Sequence, residues 1–292
     1  MKDQPSCSSW KTIVATLAAL TAFAANSLLC RRALGADLID ATSFTAVRVL
    51  AGALVLAVIV GLRRGATQRF AGAWQSAAAL FVYAYAFSLA YRSLNAGIGA
   101  LILFGSVQAT MIGHGIARGE RPRLLEWIGL AAALSGLGYL VVRRDTAAPP
   151  IEGALLMMLA GIAWGVYSLR GRGAQDPIAA TAGNFLLAAP LALLAWGAVA
   201  LGRGEPLHMT TPGLLLAVIS GAVTSGLGYV IWYRALRGLT AMRAALVQLA
   251  VPILTALVAA ALLGEPITAR LVVASALVLG GIGLALFNRL RR

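Results

Sequence analysis

Hydrophobic residues along the chain gather into long runs, with polar residues confined to short breaks between them. The runs lie near 12–30, 43–62, 72–92, 95–116, 124–142, 152–170, 178–201, 212–234, 241–263 and 268–287. An α-helix needs about 20 consecutive apolar residues to cross the hydrocarbon core of a bilayer. The pattern therefore predicts an all-α integral membrane protein with ten transmembrane helices. The break between the third and fourth runs is the slightest, consisting only of Tyr91-Arg92-Ser93-Leu94-Asn95.

The pattern also repeats. Arg118-Gly119-Glu120-Arg121-Pro122 precedes an apolar run that closes on Gly136-Leu137-Gly138, and Leu263-Gly264-Glu265-Pro266 precedes one that closes on Gly281-Ile282-Gly283. The distance from Glu to Gly is 16 residues in both. Tyr91-Arg92-Ser93-Leu94 is echoed by Tyr233-Arg234-Ala235-Leu236, and Phe23-Ala24-Ala25-Asn26-Ser27 lies where Trp164-Gly165-Val166-Tyr167-Ser168 lies later. The charged, proline-containing stretch from Arg143 to Pro150 divides five runs from five. The expected organisation is a first five-helix repeat over 12–142, a linker over 143–151 and a second repeat over 152–287. Tails cover 1–11 and 288–292. An odd number of spans per half forces the halves to insert in opposite directions, the inverted-repeat plan of secondary transporters built around a midplane site.

Composition agrees with the membrane reading. The 292 residues are 60% hydrophobic and 12% charged, whereas a soluble domain carries about 25% charged residues. The net charge of +14 would suggest nucleic acid in a soluble protein. Here the cations sit in the short connections. With a cytoplasmic N-terminus, sixteen Lys and Arg fall inside and seven outside, leaving Arg48 within a span. That bias follows the positive-inside rule and places both termini in the cytoplasm, with the first run retained as a span. No nucleic-acid partner is needed to explain the charge.

Cys7 and Cys30 form neither a disulfide framework nor a metal site. The only lysines are Lys2 and Lys11, so the chain has no phosphate-binding loop and implies no cofactor. Thr224-Ser225-Gly226 could offer a nucleophile to an intramembrane enzyme. Such a serine needs a histidine within reach, and only His114 and His208 exist.

Polar residues inside the runs are few. Arg48 is the one charge deep in a span. It either anchors its helix through carbonyls and snorkelling or attracts a substrate carboxylate. All ten acids lie in connections or at span ends, which argues against a membrane-embedded carboxylate as proton carrier. Glu120 and Glu265 each follow a helix-ending glycine. Either could cap the next helix, pair with an arginine or hold one end of the bundle closed. Cavity candidates are Asn26, Tyr83, Tyr85, Phe104, Gln108, Trp164, Tyr167, Tyr229 and Gln248. Their alternative is plain helix packing. Amides and hydroxyls suit the polar ends of an amino acid, and rings suit its side chain.

Several of these residues carry a family resemblance: Phe44-Thr45-Ala46-Val47-Arg48, Ala163-Trp164-Gly165, Tyr233-Arg234-Ala235-Leu236, Pro252 and Leu263-Gly264-Glu265. Over residues 12–287 the chain resembles EamA-type members of the drug/metabolite transporter superfamily. The resemblance implies two inverted five-helix repeats around a central cavity, lined mainly by the first, third and fourth spans of each half. It implies a bacterial inner-membrane exporter of small metabolites, often amino acids, and gives Arg48 a framework role. Other expectations are export of purines, drugs or sugar phosphates, and more remotely lipid flipping. The chain departs from internal symmetry at Val107, which stands where the second half has Pro252.

The charge bias makes a prediction. Alkaline phosphatase fused after Thr146 will be active in the periplasm, while the same enzyme fused after Arg292 will be inactive. The reverse pattern would overturn the orientation.

Overall fold

The computed structural model describes residues 10–63, 70–119, 124–141, 149–171, 174–203, 207–236 and 247–290. These residues are almost wholly helical. In chain order the helices are α1 (Trp10–Gly35), α2 (Ala41–Leu62), α3 (Trp74–Ala90), α4 (Ala96–Ala117), α5 (Leu124–Val141), α6 (Ile151–Gly171) and α7 (Pro177–Arg203). Then come α8 (Thr211–Ile219), a π-helical segment (Ser220–Leu227), α9 (Gly228–Leu236), α10 (Ala250–Leu263) and α11 (Ala269–Leu290). Six segments among the described residues are long and apolar enough to cross a membrane: α1, α2, α4, α6, α7 and the continuous α8–π–α9 unit. The other four expected spans coincide with α3, α5, α10 and α11, of 17, 18, 14 and 22 residues.

Local chemistry sets the ends of these helices. Asp40 starts α2 by accepting the backbone N–H groups of Thr42 and Ser43 at 3.0 and 2.9 Å. Asp176 does the same for α7 through Ile178 and Ala179, with Pro177 at the first helical position. Thr210 caps α8 through Gly213 at 3.2 Å. These side chains satisfy N–H groups that have no partner within the helix. Gly119 and Gly264 follow α4 and α10 with φ of +88° and +65°, a left-handed backbone that glycine adopts without steric cost. Within the ninth expected span the helix is interrupted by a turn at Leu249, three residues before Pro252. Proline removes a helical N–H and crowds the preceding turn. By contrast α4, with Val107, runs unbroken.

The apolar surface faces outward. On α2, Leu50, Leu54 and Val58 form an exposed stripe at four-residue spacing, and α6 exposes Leu155, Leu159, Ile162 and Val166. Arg48, Thr45 and Ser88 are buried. An apolar exterior, with the few polar residues of the spans held inside, suits a lipid surround.

The helices pack in a distinctive set of pairs. α2 lies on α7, α4 on α10, and α5 on α11. α6 contacts α3 and α4, while α1 contacts the α8–π–α9 unit and α10. Small residues allow close approach at these crossings. A Cβ on Gly161 would meet the Leu103 carbonyl at 2.6 Å, and one on Gly136 would meet Leu277 at 2.8 Å. The tightest crossing is that of α2 with the π segment, where a Cβ on Gly221 would land on the carbonyl oxygen of Arg48.

This crossing predicts opposite outcomes for two glycines. Gly221→Ala will cost about 3 kcal/mol, because a backbone carbonyl cannot step aside. Gly280→Ala, in open space on α11, will gain about 0.5–1 kcal/mol from helix propensity. Thermal melting of the two variants in detergent checks the pair.

Candidate functional site

At the centre of the bundle a narrow chamber is lined by Phe23, Asn26, Ser27, Tyr83, Phe87, Leu103, Phe104, Trp164 and Tyr229. These residues come from α1, α3, α4, α6 and α9. Trp164 is its hub. The Tyr83 and Tyr229 rings each lie 4.9 Å from it, centroid to centroid. Phe23 stands edge-on to Trp164 at 6.2 Å and to Trp232 at 5.6 Å. Edge-to-face and tilted contacts at such distances are attractive, so the rings hold one another as well as enclosing space. About 20 Å³ is open to the centre of a water molecule, room for roughly one water. A larger guest enters only if the rings or helices part.

One wall is polar. Asn26 Oδ1 accepts from Ser220 Oγ at 2.7 Å and from Thr224 Oγ1 at 3.0 Å, tying α1 to the π segment. Behind Tyr83 and Phe87 lies Arg48, 2% exposed. Its Nε donates to Ser225 Oγ at 3.1 Å and its Nη2 to Tyr83 Oη at 3.0 Å. The guanidinium carbon is 5.2 Å from the ring centroids of both Tyr83 and Phe87. Desolvated cation–π contacts of this kind contribute about 2 kcal/mol. The ion pairs among the described residues join Arg31 to Glu265 and Arg63 to Asp176, and neither includes Arg48. Nη1 of Arg48 is buried without a hydrogen-bond partner. The Tyr229 hydroxyl lies near Tyr83 but without hydrogen-bond geometry.

The bundle is tied at both ends. At one end Arg31 on α1 donates to Glu265 Oε1 at 3.0 Å and to the Tyr91 carbonyl at 3.3 Å. Glu265 Oε2 accepts the Ala96 N–H at 2.7 Å. The connections before α2 and α8 meet at the same end through Asp40 N–H to His208 O and Thr210 N–H to Leu38 O. Two cavities of about 510 and 480 Å³ open there and share Asp37, Leu89 and Arg92. At the opposite end Arg63 pairs with Asp176 at 2.8 Å, and Arg170 donates to Ser76 and Gln75. Gly72 and Gly183 meet there backbone to backbone.

Five of the sequence candidates thus share one chamber: Asn26, Tyr83, Phe104, Trp164 and Tyr229. Four lie elsewhere. Tyr85 hydrogen-bonds Thr42 at 3.3 Å and lines the 510 Å³ end cavity. It is two residues from Tyr83, and a two-residue step on a helix turns a side chain to the far side. Tyr167 stacks behind Trp164 at 5.5 Å. Gln108 and Gln248 are buried but do not line the chamber. Gln108 sits one turn past Phe104, beyond the rings. Glu265 caps α4 rather than the helix that follows it. Glu120 lies outside the described residues. Sequence reasoning missed Phe23 and Phe87, although Phe87 is four residues from Tyr83 and so on its face. It also missed Ser220, Thr224 and Ser225 as structural partners, because nothing in the sequence announces a π-helical segment.

Fold and chamber together define a helical protein of membrane type with a small, ring-lined cavity at its centre. The sequence comparisons give the family. The EamA-like transporter family pattern matches residues 151–287. An uncharacterized protein of Pseudomonas aeruginosa is 52% identical over 282 residues, covering 97% of this chain and 96% of its own. An uncharacterized transporter of Archaeoglobus fulgidus is 27% identical over 216 residues, 71% of this chain and 74% of that protein. A crystal structure of another protein shares the fold with a TM-score of 0.64 at 20% identity, over 95% of this chain and 97% of that one. Residues 151–287 thus form an EamA-like transporter family domain, and that family points to a small-molecule transporter of membranes.

The Arg31–Glu265 tie can be tested as a pair. Arg31→Met and Glu265→Gln will each destabilise the protein, and their double-mutant cycle will show a coupling of about 1–2 kcal/mol. Unfolding in mixed micelles measures it. Additive losses would mean that the pair contributes nothing as a pair.

Proposed function

We propose that this protein is a secondary transporter that exports amino acids or related small metabolites across the inner membrane by alternating access. On this reading its ten helices form two five-helix repeats of opposite orientation. The observation that carries the proposal is the collapsed aromatic chamber at the bundle centre, tied at both ends by separate polar contacts. A carrier must close one end before it opens the other, so each end needs contacts that can break independently. The Arg31 and Arg63 ties are of that kind. The 510 and 480 Å³ cavities at the Arg31 end would then be the vestibule on the far side from the cytoplasm.

The helix pairing supports the repeat. If the first five spans correspond in order to the second five, the α2–α7, α4–α10 and α5–α11 contacts map onto themselves. The α6–α3 and α6–α4 contacts map onto those of α1 with α8–π–α9 and with α10. The chamber chemistry supports the substrate class. Rings and one polar wall suit a small amphipathic solute. Sugar phosphates carry two charges and call for paired cations, whereas Arg48 is the one cation beside this chamber among the described residues.

Counterflow in proteoliposomes tests the reading. Loading single unlabelled amino acids will accelerate entry of a labelled one, and Trp164→Ala, which removes the hub of the chamber, will lower the rate at least tenfold. No acceleration by any amino acid would overturn the substrate class. An unaltered rate in Trp164→Ala would overturn the chamber as the route.

A further inference from the structure

We propose that Arg48, Tyr83 and Tyr229 form a carboxylate-binding site at the polar wall of the chamber, and that the transported solute is held there by a single carboxylate group. The inference rests on the reading of the chamber as the transport site and names the group it recognises.

Three donors converge. Arg48 spends Nε on Ser225 and Nη2 on Tyr83, which leaves Nη1 buried with no partner. The Tyr83 hydroxyl accepts from Arg48 and keeps its own proton to donate. The Tyr229 hydroxyl lies beside Tyr83 and, among the described residues, makes no hydrogen bond of full geometry. Tyr83 and Tyr229 both line the chamber, and the guanidinium sits directly behind Tyr83 and Phe87. A buried guanidinium normally has a carboxylate partner, because an uncompensated charge in a low dielectric is costly. No carboxylate among the described residues pairs with this one.

Arg270, by comparison, turns Nη1 to the helix carbonyls of Tyr139 and Leu140. Arg48 instead binds two hydroxyls, which can turn and donate to a guest. Phe44 and Val49, its neighbours on α2, are buried and apolar, so the cation has no route to water along its own helix. A carboxylate entering the chamber would meet the Tyr83 and Tyr229 hydroxyls first, and would reach Nη1 of Arg48 once the rings of Tyr83 and Phe87 part, gaining up to three charge-assisted hydrogen bonds. The rest of the guest would lie against Phe23, Phe104 and Trp164.

Three probes separate the groups of an amino acid: L-leucine, isocaproate (carboxylate, no amine) and L-leucinamide (amine, no carboxylate). Binding is measured by tryptophan fluorescence and calorimetry on the purified full-length protein in nanodiscs. L-Leucine and isocaproate will bind at least tenfold more tightly than L-leucinamide. Arg48→Gln will erase that ratio, and Arg48→Lys will retain part of it. Tyr229→Phe keeps the ring and its packing, so it tests the site even if Arg48→Gln does not fold. It will weaken the two carboxylates about fivefold and leave L-leucinamide unchanged.

Equal binding of L-leucine and L-leucinamide by the wild type overturns the proposal, as does loss of all three probes in parallel in Tyr229→Phe. So does the absence of any binding. Carboxylate-dependent binding of isocaproate without counterflow of any amino acid would instead keep the site and overturn amino acids as the exported solute.

Discussion

The placement of one buried charge governs the centre of this molecule. A guanidinium in the interior of a membrane protein is stable only if its surroundings replace water. Arg48 meets this condition by drawing two helical elements onto its own helix. It extends from α2 to Ser225 on the π segment and Tyr83 on α3, and it lies against the rings of Tyr83 and Phe87. The same contacts fix the polar wall of the chamber. Gly221 lets the π segment approach so closely that its backbone rests on the Arg48 carbonyl. The charge, the crossing and the wall therefore stand or fall together.

The ends of the bundle obey a different rule. There the polar contacts join different helices near water, where ion pairs contribute little each and break readily. Glu265 both pairs with Arg31 and caps α4, so separating the helices at this end exposes a helix terminus as well as an ion pair. At the other end the Arg63–Asp176 pair is more exposed, at 40% and 38% against 23% and 11% for Arg31 and Glu265. A change of state that opens the Arg63 end first meets the smaller electrostatic resistance. Between these ends, small-residue crossings such as Gly161 of α6 against α4 and Gly136 of α5 against α11 bring the helices together on smooth surfaces.

Much of this was legible in the sequence. Six of the apolar runs correspond to described helical segments long and apolar enough to cross a membrane, because length and apolarity set what can span a bilayer. The paired glycines at 119 and 264 were readable as helix ends because only a left-handed residue closes the helix there. The chamber was half legible. Trp164 and Asn26 stood out as polar or bulky residues in small-residue surroundings. Tyr83 and Tyr85 did not separate, since their roles depend on which face of α3 meets α6. The π segment was invisible. Its residues, Ser-Gly-Ala-Val-Thr-Ser-Gly-Leu, are ordinary for a membrane helix, and its wider turn comes from packing against α1 and α2 rather than from propensity.

The chamber is polar on one side only, and this bears on what it can carry. Arg48, Tyr83, Tyr229 and the Asn26–Ser220–Thr224 cluster gather where α1, α2, α3 and the α8–π–α9 unit meet. Phe104 and Leu103 of α4 and Trp164 of α6 face them. A guest with a polar end and an apolar end has one favourable orientation in such a chamber, and the reversed pose buries its polar end against Leu103 and Phe104, which cannot hydrogen-bond it. A pure hydrocarbon gains nothing from the polar wall and leaves its donors unsatisfied. A doubly charged solute satisfies one charge there and strands the other. If the chamber is the transport site, this geometry favours small solutes that are singly charged at one end and apolar at the other, by penalising the alternatives.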